Sequence, residues 1–79
     1  PALLFANDIY KRAEKADVQG RLSLDMGKID SMAQNMDQEK AGRALFELVA
    51  ACRKSGLDPE ACLRDFASKQ MQEAEDTPA

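Results

Sequence analysis

Apolar side chains return every three or four residues through nearly the whole chain, the spacing that lines one face of an α-helix. From about residue 2 to 16, Ala2, Phe5, Ala6, Ile9, Tyr10 and Ala13 form one stripe. That helix is expected to stop at Asp17-Val18-Gln19-Gly20, with Gly20 free to take the positive φ that ends it. From about 22 to 35, Leu22, Met26, Ile29, Met32, Ala33 and Met36 recur at the same spacing, with Ser23 as the expected N-cap and Asp25 in the first turn. A third helix is expected from about 38 to 55, capped by Asp37 and striped by Ala41, Ala44, Leu45, Leu48, Val49 and Cys52. Arg53 and Lys54 suit its last turn and Gly56 its C′ position. Asp58-Pro59-Glu60 then reads as a cap, a first helical residue and an acidic first turn. The fourth helix is expected to bury Cys62, Leu63, Phe66, Ala67 and Met71, with residues 73–79 as a frayed acidic tail beyond a helical domain over 1–72.

No alternation of the strand type, no Asn-Gly turn and no internal repeat competes with this pattern. The fold class is therefore all-α, and four helices with short links predict antiparallel neighbours in a bundle. Leu3, Leu4 and Phe46 lie off the main stripes. One thin bundle cannot cover them all, so a homodimer or higher homo-oligomer is expected, against the blander reading of ordinary exposed apolar residues.

Seventy-nine residues hold one domain with a thin core, which strengthens the expectation of a partner copy. Charged residues form 32% of the chain, enough to place it among globular proteins, and no apolar run approaches a membrane span. A charged start followed by an apolar stretch is missing, so the expected location is cytoplasmic. The chain begins at Pro1 rather than Met, as a trimmed or excised segment would. The net charge of −3 argues against a general nucleic-acid binder, with Lys11, Arg12, Lys15 and Arg21 as one local basic cluster, read as a solvated helix face.

The residues restrict the chemistry. There is no histidine, so Ser-His-Asp and Cys-His nucleophiles are excluded, and four isolated glycines make no phosphate loop. Cys52 and Cys62 lack a C-x-x-C partner; they read as free thiols, with a disulfide between the last two helices as the alternative. A helical bundle can still hold Mg²⁺ with carboxylates projecting from facing helices. Asp25, Asp30, Glu39 and Glu47 are the available acids, each more simply read as a solvated charge.

Pro1-Ala2-Leu3-Leu4, Ala6, Ile9 and Lys11-Arg12-Ala13 resemble the opening helix of the MazG nucleotide pyrophosphohydrolases. The run from Glu39 to Phe46, then Val49, Ala51, Arg53, Gly56, Asp58-Pro59-Glu60 and Leu63-Arg64, resembles that family's last two helices. The resemblance covers roughly two-thirds of the chain, with a shorter and weaker middle. It implies a metal-dependent hydrolysis of nucleoside triphosphate to monophosphate and pyrophosphate, with Mg²⁺ held by an E-E-x-x-E set and an E-x-x-D set.

Here the first set falls on Asp30, Ser31 and Gln34, and the second on Lys40 and Arg43, reversed in sign. Two cations in a desolvated metal site would oppose a dication by on the order of several kcal/mol. The family's Asn-x-Lys near the phosphates appears as Ala67 and Lys69, and its aromatic nucleotide segment as Val18-Gln19-Gly20. The expectation is a divergent MazG-like domain without catalytic or metal residues, acting as a dimerisation or nucleotide- and phosphate-binding scaffold. Lys40 and Arg43 are expected to pair with Asp30 or Glu39. The sharper alternative has Lys40, Arg43 and Lys69 hold phosphate directly. Two further alternatives are an active Mg²⁺-dependent pyrophosphohydrolase with a rearranged site and an unrelated helical interaction adaptor.

Overall fold

The computed structural model describes residues 1–76 and is helical: α1 (Ala2–Lys15), a short 3₁₀ turn (Gln19–Arg21), α2 (Met26–Gln34), α3 (Gln38–Lys54) and α4 (Pro59–Asp76). No strand occurs among the described residues. The chain divides into two compact units. One joins Pro1–Leu24 to the part of the chain that starts at Glu60, and the other is Asp25–Pro59.

In the first unit α1 lies along α4, and the two run in the same direction. The α1 start is fixed by the Glu60 carboxylate, which accepts the Ala2 N–H at 2.6 Å and also faces the Arg64 guanidinium at 3.2 Å. Pro1 supplies no side-chain cap, so Glu60 satisfies an N–H that the helix itself leaves orphaned. Phe5 then lies by Arg64 and Ser68, Ile9 by Ala67, and Ala13 by Met71, so both helices advance together. The expectation of antiparallel neighbours therefore does not hold for this pair. Its buried contacts are small, with Ala2, Ala13 and Ala67 joined by Ile9 and Leu22, which lets the backbones approach closely.

Where α1 ends, Asp17 rather than Gly20 takes the left-handed conformation, with φ of +56°. The Val18 N–H reaches the Ala13 carbonyl at 2.8 Å and the Asp17 N–H reaches Glu14 at 3.0 Å, the paired bonds of a Schellman stop. Asp tolerates that region better than most residues, and Gly20 is spent in the 3₁₀ turn instead. Ser23 is not the cap of α2. Its N–H goes to Gln70 Oε1 at 2.8 Å and its hydroxyl to Glu73, tying the chain after α1 to the far end of α4. Gln70 is the buried polar residue at that junction. Helix α4 continues through Glu73 to Asp76, so the first four residues assigned to an acidic tail are helical, and the last three lie outside the described residues. Cys62 is exposed rather than buried, as is Phe66 at 47%.

In the second unit Asp25 caps α2 by accepting the Lys28 N–H at 3.0 Å, and Asp37 caps α3 by accepting that of Lys40 at 2.9 Å. The α3 stop is a second Schellman motif: Gly56 has φ of +74°, and the Leu57 N–H bonds Cys52 O at 2.8 Å. No residue of α2 or α3 is buried.

Gly56→Ala should lower stability by about 1 kcal/mol, since a Cβ is disfavoured at that φ, whereas Asp17→Gly should leave it equal or higher. Gln70→Ala should cost about 1–3 kcal/mol by stranding the Ser23 N–H. Urea unfolding curves of the three variants check both.

Candidate functional site

The positions that the MazG resemblance singles out are carried by α2 and α3. Asp30, Ser31 and Gln34 lie on α2, where spacings of three and four place them on neighbouring faces, and all three are exposed. Lys40 and Arg43 lie in the first two turns of α3, again exposed. Lys69 is an exposed residue of α4 in the other unit.

Lys40 and Arg43 each have a local partner. Arg43 faces Glu39 at 3.9 Å, one turn away on the same helix, with their side chains 69% and 86% exposed. Lys40 does not pair with a carboxylate; its ammonium donates to the carbonyl of Asn35 at 3.1 Å. Asn35 is the C-cap of α2, where the helix dipole leaves partial negative charge, so Lys40 secures the α2–α3 junction electrostatically.

The exposure of these residues changes the electrostatic argument. Repulsion between Lys40, Arg43 and a dication reaches several kcal/mol only in a dry site. In water it is screened, so the sign reversal alone is a weaker barrier to metal than a buried site would make it. The shortage of ligands matters more. Among the described residues no three Asp, Glu, Cys or His side chains stand close enough to hold a metal ion. Asp25 is committed to its cap.

The other family positions are occupied by packing. Ala67, where the family has Asn, is 4% exposed against α1. Gln19, in the segment that corresponds to the family's aromatic stretch, is half-buried, and its Oε1 has no hydrogen-bond partner. Phe5 and Tyr10 are half-buried in the first unit. Tyr10 helps wall an apolar hollow with Ile9, Leu22, Leu63, Phe66 and Gln70, which offers no charged group to a substrate. Cys52 and Cys62 are both free thiols.

Large apolar residues stand exposed on the same two helices. Leu45, Phe46, Leu48 and Val49 of α3 are 47%, 75%, 64% and 43% exposed, and Met32 and Met36 are about half exposed. A shallow open depression on α3 is lined by Gln38, Glu39, Gly42, Arg43, Phe46 and Glu47. Gly42 belongs to the run that carries the resemblance. It sits in the interior of a 17-residue helix with an ordinary φ, and a Cβ added there would meet nothing within 4 Å.

No protein-family model, no curated protein and no solved structure matches the chain. The MazG resemblance therefore stands on the residues that carry it.

Arg43→Ala removes an exposed pair between adjacent turns and should change stability by no more than about 0.5 kcal/mol. Thermal unfolding at low and high salt checks this, since the residual effect should vanish as salt rises.

Proposed function

We infer that this chain is a non-catalytic, MazG-like helical module whose role is self-association through its α2–α3 unit. One observation carries the reading. Among the described residues, seven of the ten large apolar residues that stand exposed fall between Met32 and Leu57, in a unit with no buried residue in either helix. Burying a side chain of that size contributes about 1.5–3 kcal/mol, so this unit gains most of its possible stabilisation only when covered. A concentration of exposed apolar residues of this kind favours an interaction site over a solvated face.

Two observations weigh against hydrolysis. The carboxylates a Mg²⁺ site needs are replaced at Ser31, Gln34, Lys40 and Arg43, and the remaining Asp30 is exposed. Hydrolysis of a polyphosphate at neutral pH needs cations to offset charge and to activate water, and a lone exposed carboxylate holds a divalent ion weakly. Direct phosphate binding by Lys40 and Arg43 is also less favoured than their local roles, since each already serves α2, α3 or the junction between them.

The purified chain should release no pyrophosphate from a mixture of nucleoside triphosphates with Mg²⁺ or Mn²⁺, and should sediment at about twice its 8.7 kDa mass. Metal-dependent turnover that is lost in Asp30→Ala would establish the enzyme reading instead. A folded, inactive monomer would leave the adaptor reading.

A further inference from the structure

The apolar hollow of the first unit has one polar group on its wall that the fold leaves half employed. The hollow measures about 230 Å³ and is partly open to solvent. Its walls come from three stretches of that unit: Ile9 and Tyr10 on α1, Leu22 and Leu24 after the 3₁₀ turn, and Leu63 and Phe66 on α4. Gln70, one turn beyond Phe66, also lines it and is only 6% exposed.

The orientation of the Gln70 amide follows from its partner. The Ser23 N–H can only donate, so the atom 2.8 Å away is Oε1, and the other end of the amide is the Nε2 donor. Among the described residues no hydrogen bond is made from that Nε2. Gln19 Oε1 is the fully enclosed side-chain atom without a partner there, so Gln70 Nε2 still reaches open space. The open space that Gln70 lines is the hollow.

We propose that the hollow binds a small uncharged aromatic molecule with one carbonyl, its ring against Tyr10 and Phe66 and its oxygen accepting from Gln70 Nε2. The volume suits it, since an enclosed apolar cavity of about 150 Å³ takes up benzene and this one has room for a short substituent as well. Two aromatic walls favour a ring, and one donor favours one acceptor. Water is a poor occupant, because an ordered water makes roughly two to four hydrogen bonds and this wall offers one. An anion finds no cation on the walls. A heteroaromatic ring with several polar edges, such as a nucleobase, would leave most of them unpaired. The site lies wholly in the first unit, so it stands apart from self-association through α2 and α3.

The test uses the full chain and two probes of the same shape, acetophenone and α-methylstyrene, which differ in a carbonyl oxygen against a methylene. Titrations are followed by amide chemical shifts, those of the Gln70 side chain included, with circular dichroism as a folding control. Acetophenone should bind about three to ten times more tightly than α-methylstyrene, the effect of one hydrogen bond, and should shift the Gln70 Nε2 resonance. Gln70→Glu at about pH 8 keeps an acceptor for the Ser23 N–H but removes the donor, so that preference should disappear or reverse. Leu63→Trp should fill the hollow and abolish binding of both probes while the helix signal is kept. A folded wild type that takes up neither probe overturns the proposal and leaves the hollow to an apolar side chain of another protein. Equal affinity for the two probes, or shifts confined to residues away from the hollow, overturns it as well.

Discussion

A long helix with apolar residues around most of its circumference is stable in water only when other elements cover it. Helix α3 is such a helix. Ala44, Leu48, Ala41, Cys52, Leu45 and Val49 follow one another around its surface, and Phe46 and Ala50 extend the arc further. Within its own unit that arc stays open, and only Ala41 and Cys52 are even half-buried. The local devices of the unit are all in place: Asp25 and Asp37 as caps, Lys40 on the α2 terminus, Gly56 as the stop. Such devices contribute about a kcal/mol each and set where the helices begin and end. They do not replace a core.

The first unit solves the same problem by another route. Its α1–α4 pair relies on alanines at the contact, so the gain per residue is modest and the fit depends on close backbone approach. Two side chains of α4 fix the register from its two ends. Glu60 holds the start of α1, and Gln70 holds the chain that leaves it. Both accept backbone N–H groups that would otherwise be unsatisfied, which makes the pairing direction specific rather than merely apolar. The two units differ accordingly: the first buries Ala2, Ile9, Ala13, Leu22 and Ala67, whereas neither helix of the second buries a residue.

The helices were legible because their caps and stops are local. Asp37, Gly56 and Pro59 act on residues within one turn, and each stands where the pattern places it. The α2 start was not, because Leu22, Ser23 and Leu24 continue the apolar rhythm while the partners that pull Ser23 out of the helix lie 47 and 50 residues away. The direction of α4 along α1 was hidden for the same reason, since short links suggest reversal and the Glu60–Ala2 bond joins residues 58 apart. Of the candidate site, the sequence gives the identity of Lys40 and Arg43 but not their exposure, and it is exposure that turns a repelled metal site into two local tethers.

Self-association through this unit requires α3 to be covered in solution by a second copy. Amide hydrogen exchange measured over a range of protein concentrations tests this most directly. Protection of the amides around Phe46 should rise with concentration while that of α1 and α4 stays constant. Exchange of α3 that is fast and independent of concentration, beside normally protected α1 and α4, would contradict it.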